Sequence, residues 1–266
     1  MNNVNKTLYI PLYGKAHISK KSLFLKDEKA EEIWEAEQFP LKRKSKSKWL
    51  AYYMGIRSAV FDDWLKQQIE ITEDAVILHL GCGMDSRILR IGEDHPMWYD
   101  IDFPEVIEER KRYYTETENY RMLSRDIRKD EWLSDIPKTT KAIVLMEGVS
   151  MYLSFSELKN MLFLLCDHFG DVSVLMDCYT VFAAKMSKYK NPINDVGVTE
   201  VFGIDDPCSL QGKGLLYVQE HTMIPARYVD ELRGMEKKIF RRLYAGNFAK
   251  KLYKLFEFRK FEDDLF

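Results

Sequence analysis

Cysteine is scarce: four residues in 266 (Cys82, Cys166, Cys178 and Cys208), none in C-x-x-C spacing. That pattern excludes a thiolate metal site and a disulfide framework, and it favours a reducing, cytoplasmic setting. Excess charge of either sign is missing too. Forty Lys and Arg stand against forty-two Asp and Glu, a formal −2 that draws the chain to neither nucleic acid nor an anionic membrane. No apolar run approaches the roughly 20 residues a membrane helix needs. The N-terminal lysine is not followed by an apolar stretch, so no secretory leader is expected. Thirteen glycines and eight prolines are scattered rather than gathered into linkers, and no repeat is visible. What remains is a chain with enough apolar and aromatic residues for a sizeable core, expected to form one domain over 1–266.

The most informative stretch runs from Ala75 to Ser86. Val76-Ile77-Leu78-His79-Leu80 reads as a buried strand, Gly81-Cys82-Gly83 as a tight turn, and Ser86–Ile91 as the helix that follows. Glycines let a backbone approach a ligand with no Cβ between, and a helix N-terminus offers unpaired N–H groups. About twenty residues on stand Asp100 and Asp102, where nucleotide-binding folds place the acid that grips a ribose. The glycine pair alone is equally compatible with an ordinary strand-to-helix turn.

The flanking segments supply the rest of a layered fold. Thr7–Ala16 is too aromatic for a solvated tail. Asp27 is placed to cap a helix ending near Gln38. The basic run Lys42–Lys48 reads as a solvated loop or a phosphate-binding patch. Trp49, Tyr53, Ile56, Val60 and Trp64 recur at helical spacing, predicting an amphipathic helix over 47–69 with Arg57 at the edge of its buried face. On spacing alone that arginine reads as a snorkelling surface residue. Strands are then predicted at 75–80, 97–102, 120–124, 142–146 and 172–176, with helices from Pro104 to Glu116 and after Ser154 or Ser156. Residues 187–214 read as a loop or lid, 215–222 as a strand, Val229–Leu243 as one helix and 255–261 as the last strand.

Continuous apolar strands joined by helices imply a mostly parallel sheet covered on both faces, with the ligand beyond its carboxyl edge. At those strand ends the sequence places Gly81 and Gly83, Asp102, Asp126, Glu147 and Asp177. A dinucleotide dehydrogenase would carry a third glycine near Ser86. The single Gly-x-Gly and the acids after strands two and three suit S-adenosylmethionine better. No metal ligand set is visible.

Several motifs carry a closer resemblance. Leu80-Gly81-Cys82-Gly83-Met84-Asp85-Ser86-Arg87, Asp100-Ile101-Asp102-Phe103-Pro104, Asp126-Ile127-Arg128 and Glu147-Gly148-Val149-Ser150-Met151-Tyr152-Leu153 occur in this order. With Leu12–Ala16 and the Arg57 helix, they resemble the leucine carboxyl methyltransferase family, which includes the tetracenomycin-type polyketide O-methyltransferases. The resemblance spans about residues 8–180. It implies an α/β, Rossmann-like fold: a seven-stranded, mostly parallel sheet with an antiparallel last strand and helices on both faces. An N-terminal helical cap would occupy 1–70, a cofactor-binding core 71–180, and a lid with the sheet's completion 181–266. It also implies roles. Lys15 and Arg57 would hold the methionine carboxylate, Gly81 and Gly83 line the methionine portion, and Asp102 accept from the ribose. Asp126 and Ile127 would frame the adenine, and Glu147 face the amino group. Lys15 stands where polyketide-type members often carry arginine, which keeps the charge but not the bidentate fork.

The expected activity is transfer of the sulfonium methyl to a hydroxyl or carboxylate oxygen of a small molecule, with product S-adenosylhomocysteine. The alternatives are methylation of a protein C-terminal carboxylate, and a cofactor-binding regulatory protein without turnover. Tyr152, His17 and His221 are the weak candidates for a general base, and His79, inside a strand, is expected to pack in the core.

Overall fold

Seven strands form one sheet in the order β3-β2-β1-β4-β5-β7-β6. The computed structural model describes residues 5–41, 43–92, 95–138, 141–190, 200–246 and 249–261. The strands are β1 Val76–Leu80, β2 Trp98–Asp102, β3 Tyr120–Ser124, β4 Lys141–Met146, β5 Asp171–Tyr179, β6 Leu216–Glu220 and β7 Tyr253–Lys260. The first five are parallel; β7 runs antiparallel to both β5 and β6. Strand order reverses between β1 and β4, and the crevice beyond their carboxyl ends is where such sheets hold ligands.

Alternation along the strands sends side chains to two cores. Ile77, Ile143, Leu145 and Leu175 join the cluster under the N-terminal helices. Val76, Leu78, Leu80, Val144 and Met176 join the cluster on the opposite face, with Leu158, Leu162 and Leu165. That second face is covered by α6, Phe155–His168. Of the two serines proposed to cap it, Ser154 does so, in a capping box with Glu157.

The N-terminal cap consists of α1 Tyr9–Lys20, α2 Glu28–Glu37 and α3 Lys48–Ile71. Asp27 caps α2 through the Ala30 N–H, and Ser47 caps α3. Helices α1 and α3 approach very closely. A Cβ on Gly14 would lie 2.7 Å from Met54 Cβ, and one on Gly55 2.6 Å from Ile18. The expected amphipathic stripe on α3 is replaced by burial all round from Ala51 to Asp62, because α1 covers one side and the sheet the other. Arg57 therefore has no solvent face to snorkel to.

Three further boundaries differ from expectation. Helix α5, after the short α4 (Arg87–Ile91), stops at Arg110 rather than Glu116. Helix α7, Val181–Lys190, runs into the first residues of the 187–214 segment expected as a loop or lid; residues 191–199 of that segment lie outside the described residues. The single helix expected over Val229–Leu243 is two, α8 Ala226–Glu231 and α9 Gly234–Tyr244, separated by extended residues Leu232 and Arg233. Among the described residues no helix is long and apolar enough to cross a membrane.

Candidate active site

A cavity of about 910 Å³ opens at the carboxyl edge of the sheet, within the size range of small-molecule sites. One end is built from the loop after β1, the end of β2, residues 125–128 and the end of β4. The start of α1, α3, and residues of α7, α9 and β7 complete the lining, with mostly apolar and aromatic side chains beside Lys15 and Arg57. Lys15, Arg57, Gly81, Gly83, Asp102, Asp126, Ile127, Glu147 and Tyr152 all line this one space.

The glycine turn is a requirement of the fold. Gly81 has φ +64°, and a Cβ there would sit 2.3 Å from Val149 Cγ2. Gly83, at φ +52°, lies beneath Leu8 of the cap. Its N–H donates to Asp102 Oδ2 at 2.8 Å, and the Phe103 N–H donates to Oδ1 at 2.7 Å. Burial raises the Asp102 carboxyl to about 6 despite these two donors.

The polar end is densely ionic. Lys15 Nζ pairs with Asp85 Oδ2 at 2.9 Å. Arg57 reaches Glu147 Oε1 at 3.1 Å and Asp177 Oδ2 at 2.9 Å. Glu147 also accepts from Arg87. Burial opposes ionisation of Glu147, but Arg57 and Arg87 hold its carboxyl at about 2. Asp126 is committed as well: Arg128 grips it through Nε at 2.8 Å and Nη2 at 2.6 Å.

Several expected residues stand elsewhere. Asp100, the other member of the proposed acidic pair, has no exposure and accepts from Arg110, Tyr120, Trp98 and His79, so only Asp102 faces the cavity. Asp177 is not a loop acid: β5 continues past it to Tyr179, and it anchors Arg57 and the Gly148 N–H from inside the strand. His17 packs beside Tyr13 and Tyr52, off the cavity, where burial lowers its pKa. His221 is also off the cavity, bound through Nε2 to Glu257 at 2.6 Å. Tyr152 does line it, with its hydroxyl pushed upward by burial.

Three residues to which sequence reasoning gave no role in the site, Asp85, His79 and Arg87, stand at it or directly behind it. Asp85 lines the cavity and receives Arg87 and Arg90 in addition to Lys15. His79 is buried as expected, but in a polar setting: Nδ1 lies 3.0 Å from Asp100 and Nε2 3.2 Å from Arg87. An arginine only donates, so Nε2 carries the lone pair and the proton sits on Nδ1, shared with Asp100. The signal for Asp85 and Arg87 was available, since both are charges set directly after the Gly-x-Gly turn, ahead of an apolar helix.

Strand order, glycine turn and acid at the end of β2 together define an α/β protein of the nucleoside-cofactor class. Solved structures agree on the fold. A Thermobifida fusca protein solved as a candidate methyltransferase superimposes with a TM-score of 0.56 at 13% identity, over 95% of this chain and 94% of that one. Magnesium protoporphyrin IX methyltransferase from Synechocystis, solved with bound SAH, gives 0.53 at 10% identity, over 86% and 93%. The leucine carboxyl methyltransferase family model matches residues 11–164. The tetracenomycin polyketide synthesis O-methyltransferase TcmP of Streptomyces glaucescens is 32% identical over 184 residues, 68% of each chain. The S-adenosyl-L-methionine-dependent methyltransferase dpfgK of Gibberella zeae is 30% identical over 184 residues, 63% of this chain and 61% of that relative. The chain belongs to the leucine carboxyl methyltransferase family, and it is an S-adenosylmethionine-dependent methyltransferase.

Proposed function

We propose that the chain, working as one methyltransferase domain, methylates an oxygen of a small, largely apolar acceptor of polyketide type. The observation that carries this reading is the make-up of the cavity's lining. Tyr53, Met54, Met151, Tyr152, Tyr179, Met186 and Tyr253 line the cavity, and the acids and the histidine among the described lining residues are already engaged: Asp85, Asp126 and Glu147 by basic side chains, Asp102 by backbone N–H groups and His79 by Asp100 and Arg87. Burial raises the hydroxyls of Tyr53, Tyr152 and Tyr253, so at neutral pH they donate hydrogen bonds and do not accept protons. An acceptor oxygen that arrives already ionised, a carboxylate or an acidic phenol, suits such walls.

The polar end fits S-adenosylmethionine, with Gly81 and Gly83 leaving room for the backbone to approach. Lys15 and Arg57 would meet the methionine carboxylate, Glu147 the amino group, Asp102 the ribose, and Asp126 with Ile127 the adenine. When bound, this cofactor supplies a methyl already activated on a sulfonium. The chain's own work is then to align the acceptor and keep water out, the task of the tyrosine and methionine walls and of Leu8 over the glycine turn. A protein C-terminal carboxylate is less well served. Lys48 of the basic run that would form its cationic mouth is paired with Glu236 at 2.8 Å.

Calorimetric titration of S-adenosylmethionine and S-adenosylhomocysteine into wild type and Asp102→Ala tests the cofactor site. Micromolar binding that the substitution weakens at least tenfold supports it; a folded wild type that binds neither refutes it. Methyl-labelled cofactor incubated with carboxylic acids and phenols then separates an O-methyltransferase from a binding protein without turnover.

A further inference from the structure

The residue that joins the two ends of the cofactor site does not line the cavity. Arg87, at the start of α4, has no solvent exposure. Its guanidinium donates to Asp62 Oδ1 at 2.6 Å, to Ser58 Oγ at 3.2 Å, to His79 Nε2 at 3.2 Å and to Glu147, and it lies 3.2 Å from Asp85 Oδ2. Three of these partners, His79, Asp85 and Glu147, do line the cavity. They come from β1, from the loop after it and from the end of β4.

From this hub two lines of contacts run outward. One is short: Arg87 holds Glu147 directly, and Lys15 through Asp85. The other passes along the sheet: His79 to Asp100, Asp100 to Arg110, and Arg110 Nη1 to the Gly83 carbonyl at 3.1 Å. The Gly83 N–H in turn donates to Asp102. Along this path Arg87, His79, Asp100 and Arg110 are buried, while Gly83 and Asp102 are half-buried at the cavity, and a planar five-donor fork serves the five partners of Arg87 at once.

We propose that Arg87 is the positioning residue of the cofactor site. It orients Glu147 and Lys15 at the amino-acid end directly, and the Gly83–Asp102 corner at the ribose end through His79, Asp100 and Arg110. This inference rests on the cofactor placement above and goes beyond it, because it assigns the geometry of both ends to one side chain that touches no ligand.

Lysine at this position keeps the charge and loses the fork. Two ligands separate its effects: S-adenosylhomocysteine, and 5′-methylthioadenosine, which has the nucleoside without the amino-acid end. Arg87→Lys is expected to weaken S-adenosylhomocysteine by about tenfold or more and 5′-methylthioadenosine by about two- to threefold, since the direct arm is shorter than the relay. A double-mutant cycle with Glu147→Gln gives the signature that general loosening of the fold would not produce. In the Glu147→Gln background, Arg87→Lys should lose most of its effect on S-adenosylhomocysteine. Full additivity, or wild-type affinity in a folded Arg87→Lys protein, overturns the proposal. If Arg87→Lys does not fold, Asp62→Asn carries the test from the outer side of the guanidinium. It is expected to weaken S-adenosylhomocysteine about two- to fivefold, and no change refutes the role. Absence of binding by wild type refutes the cofactor placement and this inference together. Binding by wild type with an additive cycle refutes only the inference.

Discussion

At the scale of single residues, the site stores two kinds of cost that experiments can read. Gly81 is one. With φ at +64° and Val149 within 2.3 Å of any added Cβ, alanine there is strained and crowded at once. Gly81→Ala should cost at least about 2 kcal/mol in denaturant unfolding, whatever it does to binding. Asp102 is the other. Burial holds its carboxyl near 6, so between pH 7.5 and 5 it passes from an acceptor to a protonated group in the free protein. Cofactor affinity should fall with pH through that window, by up to about tenfold per unit below 6, measured by calorimetry; Asp102→Asn should flatten the profile. The cavity lining was legible in sequence where a motif fixed a backbone position, as at Gly81, Gly83 and Asp102. They were not legible for Asp100, whose neighbour two residues on faces the cavity while it points into Arg110 and His79.

At the scale of elements, local signals were strongest where the chain satisfies itself. Asp27, Ser47 and Ser154 cap the helices that follow them, because an N-cap side chain and the N–H it accepts are two or three residues apart. Ser154→Ala removes one half of the capping box of α6 and should lower stability by about 1 kcal/mol, read as a shift in the urea midpoint with an unchanged slope. Boundaries decided by distant partners were misjudged. Strand β5 extends to Tyr179 because β7 pairs along it, Asp177 opposite Leu255 and Tyr179 opposite Tyr253. No local pattern records a partner some eighty residues away. Helix α5 ends where Arg110 turns inward to Asp100 and the Gly83 carbonyl.

At the scale of the whole molecule, the buried charges set the response to acid. Glu147, Asp100 and Glu257 are held at about 2 against the pull of burial, by Arg57 and Arg87, by Arg110 and His79, and by His221 and Gln219 respectively. Asp85 is held well below its usual value by Arg87, Arg90 and Lys15, again against burial. For these groups the unfolded chain takes up protons first, so their stabilisation is complete above the ordinary carboxylate range and is lost as pH falls from about 4.5 toward 2. Asp102 and Asp177, raised by burial, act in the opposite sense, favouring the native state as pH falls, but they are two against four. The melting temperature should therefore drop steadily between pH 5 and 3, and a flat profile by scanning calorimetry would contradict the network. The sequence by itself determined the α/β class, the succession of strands, the glycine turn and most of the cavity's polar lining, because each depends on periodicity or on residues adjacent in the chain. Only the tertiary structure decided which charges meet. Lys15 with Asp85 and Arg57 with Asp177 are pairings between elements far apart in the chain. Their partners are chosen by how three cap helices settle on the sheet, which no local pattern encodes.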